Sequence, residues 1–171
     1  PIFSQVGTQA MNHKSGLDFD VYVQAIFEDR EIPVFETPTT NDFGADLVLY
    51  RNGKVAVIQC KYHSAPIGIH AVQEVVGAIK HYQADAGIVI SNQPFTRQAV
   101  ALALSNHVLL IDGQRLQEIA DGVSDEIPYI DDFLHGFGNG AQVPPEVART
   151  HPLVRHVRGR KRTLQVRLRR L

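Results

Sequence analysis

Asp46, Gln59 and Lys61 are the residues of this chain whose types and spacing could do chemistry together. A carboxylate and an amide carbonyl are hard oxygen ligands of the kind Mg²⁺ accepts. Mg²⁺ keeps several of its waters and meets substrate phosphate directly. An ammonium beside them can stabilise a phosphorane-like transition state or help deprotonate an attacking water. A metal held there would polarise the phosphate and lower the pKa of bound water. These are the parts of a metal-dependent phosphodiesterase.

A hairpin must bring the three together. Asn52-Gly53 stands between two apolar, β-prone runs. Asn and Gly accept the positive φ angles of a type I′ turn, so the pair predicts a two-residue loop. That loop sets Arg51 opposite Lys54 and, counting outward, Asp46 opposite Gln59. Directly opposed side chains have Cβ atoms roughly 4.5–5.5 Å apart. Lys61 lies two residues beyond Gln59 and shares its face, with Val48, Tyr50, Val55 and Val57. Leu47, Leu49, Ala56, Ile58 and Cys60 form the other face. Both faces are mostly apolar, so both should be covered. Charges at one end of such a hairpin need a reason, since an unpaired buried charge is costly.

Around the hairpin the chain alternates. Phe19, Val23, Ile26 and Phe27 recur at helical spacing and predict a helix over 15–30, with Ser15 and Asp18 as a capping box. Residues 32–36 read as a short strand and 37–44 as a loop rich in turn formers. A helix over 69–82, a buried strand over 86–90 and a helix with Pro94 in its first turn follow. That helix is expected to face Val100, Ala103 and Leu104 inward. A strand over 108–111 and a short helix around 116–120 complete the pattern. The order implies an α/β fold, a mixed sheet with helices on both faces. Residues 1–14 read as an N-terminal arm, 15–120 as the catalytic domain, and 121–148 as a linker or loosely packed segment. Residues 149–171 read as a basic tail.

Charge divides the chain sharply. Residues 149–171 hold eight arginines, Lys161 and no acid, or +9, so a whole-chain charge of −1 leaves −10 on residues 1–148. A basic tail that includes Arg155, Arg158, Arg160, Lys161 and Arg162 is a footprint of nucleic-acid binding, and a solvated tail is the equal alternative. With 44% hydrophobic and 20% charged residues the composition is that of a soluble globular protein. No run is long enough to span a bilayer and no secretory signal pattern opens the sequence. The single Cys60 excludes an internal disulfide and a cysteine-based zinc site, in keeping with a cytoplasmic setting.

The words around the triad carry a resemblance. Asp46-x12-Gln59-x-Lys61 looks like the PD-(D/E)xK nuclease motif in its QxK variant. Gly16-Leu-Asp-Phe19-Asp20, Asn41-Asp42-Phe43-Gly44-Ala45-Asp46, Gln59-Cys-Lys61, Val72-Gln73-Glu74-Val75 and Ser91-Asn92-x-x-Phe95-Thr96 resemble, in order, the Mrr-type restriction endonuclease family. The match covers about residues 15–120. The resemblance implies a restriction-endonuclease-like three-layer fold and Mg²⁺-dependent cleavage of DNA, with modified DNA as a candidate substrate and kinship to junction resolvases. It also implies that Asp46 binds the metal, Gln59 stands where most nucleases have Glu or Asp, and Lys61 is the catalytic lysine. By the same resemblance the Cys60 carbonyl is a further metal ligand and the first-helix acid falls on Asp20.

Each residue has a structural alternative. Gln59 could be a satisfied buried amide, Lys61 half of an ion pair with Asp46, and Asp20 an acid favoured by the helix dipole. Glu74 reads equally as a solvated acid or as a partner of Lys61. Asn92 reads as support for a helix start, and His63 as a surface residue. At the level of function, a non-catalytic DNA-binding or assembly module on the same fold is the alternative to an endonuclease. A junction-resolving nuclease is a third possibility, because fold does not fix substrate. A homodimer would supply two active sites for a double-strand cut.

Overall fold

The computed structural model describes residues 16–37, 43–122 and 128–136. Helix α1 (Gly16–Asp29) leads into strand β1 (Val34–Glu36) and the hairpin β2 (Leu47–Arg51) and β3 (Lys54–Lys61). Helix α2 (Ile69–His81), strand β4 (Ala86–Ser91), helix α3 (Arg97–Ser105), strand β5 (Val108–Ile111), helix α4 (Gly113–Ala120) and helix α5 (Pro128–His135) follow. The five strands form one sheet in sequence order. β1, β2 and β3 are antiparallel, and β4 and β5 join β3 in parallel. The mixed sheet arises because two-residue turns can join only antiparallel strands, whereas the later strands return through helices.

The hairpin register is the expected one, with Arg51 opposite Lys54 and Leu47 opposite Ile58. Asn52 and Gly53 take φ values of 53° and 74°, as a type I′ turn requires. Both faces are covered. Leu47, Leu49, Ala56 and Ile58 pack with Phe19, Val23 and Phe27 of α1, Leu116 of α4 and Ile130 of α5. Val48, Val55 and Val57 pack with Val72 and Val75 of α2 and Ala99 of α3. A one-residue slip would exchange these two sets, so the two cores pin the register and with it the end of the hairpin.

Several elements differ from the sequence expectation. Pro94 lies before α3, whose N-cap is Thr96, accepting from the Ala99 N–H at 3.2 Å. The Pro94 carbonyl and the Thr96 N–H are committed instead to Ile67, each at 2.9 Å, which delays the helix. Val100 and Leu104 are 41% and 73% exposed, and the inward positions belong to Ala99 and Ala103. Small side chains there let α3 lie close on α2, which turns the larger neighbours outward.

The segment read as a linker or loosely packed contains α5, whose Ile130 and Leu134 are buried in the α1-side core. Asp131 of that helix takes the Arg51 guanidinium through both oxygens and the Asn52 amide at 2.9 Å, so α5 is fastened to the hairpin turn. The Arg51 hydrogen bonds hold the Asp131 carboxyl below its ordinary range, helped by Asn52 and His135. A carboxyl lowered in the folded state contributes stability above its unfolded pKa and loses it as pH falls through the folded value. A two-pronged, half-buried pair with a third donor exceeds the roughly 0–1 kcal/mol of an exposed ion pair. Asp131→Asn should therefore lower stability at neutral pH by about 1–2 kcal/mol. In urea melts the gap from the parent should close in acid, below the ordinary carboxylate range. A gap that is unchanged in acid would show that charge is not what holds α5.

Candidate active site

The site gathers where β2 begins and β3 ends. The Asp46 N–H donates to the Ile58 carbonyl at 2.8 Å, which continues the hairpin one residue beyond β2 and sets Asp46 beside Gln59. Asp46 Oδ2 then accepts from Gln59 Nε2 and from the Cys60 N–H, both at 2.7 Å. On the other flank Thr37 Oγ1 donates to the Ala45 carbonyl at 2.6 Å and its N–H donates to the Asp46 carbonyl at 2.9 Å. The acid is thus fixed by its backbone and by one carboxylate oxygen.

Gln59 is buried, at 6% exposure. Its Nε2 also lies 3.4 Å from the Cys60 carbonyl. With the donors spent on acceptors, the carbonyl oxygen Oε1 is the atom through which this amide could meet a cation. Both readings of Gln59, satisfied amide and ligand, are compatible with that orientation.

Lys61 does not pair with Asp46. Its Nζ lies 2.5 Å from Glu74 Oε2 on α2, and both side chains are partly exposed. Lys61 is opposite Ser91 of β4, which is fully buried and accepts from the Gln93 N–H. Beyond Lys61, the Asn92 side chain clamps the backbone of His63: Oδ1 accepts from its N–H and Nδ2 donates to its carbonyl, both at 2.8 Å. Asn92 therefore supports the loop after β3 and not a helix start. The two-way amide-to-backbone match was not visible in spacing alone. His63 is exposed, as expected.

Asp20 lies on α1, which packs against the other face of the sheet. Its Oδ1 is buried and has no hydrogen-bond partner among the described residues. An acid oxygen left so carries a desolvation cost that a cation would relieve. Burial pushes the Cys60 thiol well above its ordinary range, and the charges of Asp46 and Asp20 push it further. A thiol raised in this way is a weaker nucleophile at neutral pH than an ordinary cysteine. Asp18, Asp42 and the tail residues Arg155, Arg158, Arg160, Lys161 and Arg162 lie outside the described side chains.

Among the described residues no three His, Cys, Asp or Glu form a metal-binding group. Asp46, the Gln59 amide oxygen and the Cys60 main-chain carbonyl could offer a cation a sparse, all-oxygen set. That set suits Mg²⁺, which keeps several waters, better than metals that prefer imidazole or thiolate. Gln59→Glu supplies a direct measure of the site. It would set a second carboxylate against Asp46, and like charges so close cannot both ionise cheaply. Metal-free, the variant should melt below the parent at neutral pH and recover as pH falls and one carboxyl takes a proton. Added Mg²⁺ should restore it and bind more tightly than to the parent. Equal or weaker Mg²⁺ binding would make Gln59 a structural amide only.

A family model described as "Restriction endonuclease", Mrr_cat, matches residues 11–120. The chain belongs to this Mrr-type restriction endonuclease family. No curated protein sequence matches it. Among solved structures, "DNA modification-dependent restriction endonuclease AspBHI" superposes with a TM-score of 0.51 at 16% identity, over 80% of this chain and 38% of that one. The chain therefore spans about two fifths of AspBHI, and the likeness is one of fold: the mixed sheet with helices on both faces. "Protein of Unknown Function AF1548" gives a TM-score of 0.49 at 15% identity, over 82% of this chain and 91% of that one. "MspJI Restriction Endonuclease in Complex with 27-mer Oligonucleotide" gives 0.46 at 17% identity, over 82% and 36%. Among the described residues no helix is long and apolar enough to cross a membrane.

Proposed function

We propose that this protein is a Mg²⁺-dependent DNA endonuclease and that modified DNA is its substrate class. The observation that carries the reading is the hairpin end, where Asp46 is fixed by Gln59 and the Cys60 N–H on the strand that ends in Lys61, and the buried, unpartnered Oδ1 of Asp20 on α1 adds to it. Membership in the restriction endonuclease family supports the reaction. The fold likeness to AspBHI, a DNA modification-dependent restriction endonuclease, supports the substrate class.

Asp46, the Gln59 carbonyl, the Cys60 main-chain carbonyl and Asp20 would hold the cation. When bound, a divalent metal supplies Lewis acidity toward phosphate and a more acidic water. Lys61 presents an ammonium to the negative charge that develops on the phosphate. The Asp46 network keeps the acid in one rotamer, so little reorganisation is needed on binding DNA. Two copies on a duplex would place one such site on each strand.

The sparse ligand set also favours a second reading, a DNA-binding module that keeps the fold without cutting. Supercoiled plasmid incubated with Mg²⁺ separates the two. Nicking or linearisation supports the nuclease, and binding without conversion supports the module. The same assay on methylated and unmethylated plasmid tests the substrate class. Equal cutting of both would remove modification from the reading.

A further inference from the structure

We infer that Glu74 is a positioning residue, and that one turn of α2 sets the spacing between the acid and the amine of this site. The inference rests on the nuclease reading of the site. Two separate contacts of Glu74 carry it. Its carboxylate holds the Lys61 ammonium at 2.5 Å. Its backbone backs the loop that delivers Asp46: a Cβ built on Gly44 would lie 2.7 Å from the Glu74 carbonyl oxygen and 2.9 Å from its carbonyl carbon. Gly44 has φ +82°, so a residue with a side chain would be strained there as well as blocked. Asp46 follows two residues later and docks on Ile58. The loop bearing the acid and the side chain bearing the amine thus share one support.

An exposed acid beside a phosphate-binding site is otherwise a liability. It repels the polyanion, and a partly exposed ion pair adds little to stability. Its use is to orient Lys61: the Glu74 carboxylate holds the ammonium on the α2 side of the strand end, while the Glu74 backbone backs the loop that leads to Asp46.

The test uses the whole chain and two variants, Glu74→Gln and Glu74→Asp. Cleavage kinetics on plasmid with saturating Mg²⁺ should show kcat lower by roughly 10- to 100-fold for Glu74→Gln, the range for groups that orient the residues of a metal site. KM for DNA should be equal or lower, because a negative charge has gone. Glu74→Asp restores the charge on a shorter arm and should recover part of kcat. A solvated acid predicts the reverse for Glu74→Gln, tighter binding with kcat unchanged or raised, and that result would overturn the inference. The second readout needs no activity: the ¹⁵N resonance of the Lys61 ammonium in ¹⁵N-lysine-labelled protein. It should be slowed in proton exchange in the parent and lost or shifted in Glu74→Gln. An unchanged Lys61 resonance overturns the positioning role. A shifted resonance in a protein that cuts no DNA under any condition upholds the Glu74–Lys61 coupling and sinks the nuclease reading instead.

Discussion

Lys61→Ala and Asp46→Asn should each lower Mg²⁺-dependent DNA cleavage by on the order of 10³-fold or more while leaving DNA binding nearly unchanged. The two act on different parts of the site, and the structure dictates which substitution isolates each. Lys61 and Glu74 are partly exposed, so truncating the lysine strands no buried group and the fold should be untouched. Asp46 is different. Its Oδ2 is the acceptor for both Gln59 Nε2 and the Cys60 N–H. Asp46→Ala would leave two donors without a partner, at about 1–3 kcal/mol for such a group, and any loss of cutting would mix chemistry with unfolding. Asp46→Asn keeps a carbonyl oxygen for those donors and removes the charge that a cation needs. Plasmid nicking measured beside thermal melting and fluorescence anisotropy on duplex DNA in Ca²⁺ tests this directly. Ca²⁺ should support binding and not cutting, because its looser coordination positions the attacking water poorly. Cutting at the parent rate by either variant, with an intact melt, would remove that residue from the chemistry.

The hairpin that makes this test possible was legible because its signals are local and agree. Asn52-Gly53 specifies the turn, the turn specifies the register, and two apolar faces hold it. The partnership of Asp46 with Gln59 followed from counting. What lay beyond counting was set by contacts distant in sequence. The α5 helix is short, and its sequence neighbours, rich in Gly and Pro, read as a break. Its place depends on Asp131 meeting Arg51, a pairing 80 residues apart. The outward turn of Leu104 depends on how closely Ala99 and Ala103 let α3 approach α2, which no periodicity within α3 reports. Glu74 read equally as a solvated acid or as a partner of Lys61, and only the placement of α2 decided for the partner. The isolation of Asp20 Oδ1 is likewise a property of packing: the helix pattern placed the acid in a first turn, and no pattern within the helix reports which of its atoms is buried without a partner.

Deleting residues 149–171 should weaken DNA binding by orders of magnitude at low salt and flatten its salt dependence. Residues 1–148 carry −10 and should repel DNA at long range, yet a nuclease must approach a polyanion. Arg149, Arg155, Arg158, Arg160, Lys161, Arg162, Arg167, Arg169 and Arg170 are the dense positive charge of the sequence. Each phosphate neutralised on duplex DNA contributes about −0.9 to the slope of log affinity against log salt. Engagement of about half of these residues would give a slope near −4, and its loss on deletion would be unmistakable in a titration of fluorescent duplex at several salt concentrations. Phosphate contacts position a protein without reading sequence, so the lost affinity should be the same on any duplex. The catalytic end should be unaffected: Asp46, Gln59 and Lys61 are held by α2 and the sheet, so the Mg²⁺ affinity of the truncated protein should match the parent. Equal slopes with and without the tail would exclude it from DNA binding. A truncated protein that no longer melts cooperatively would instead make Leu164, Val166 and Leu168 part of the folded body.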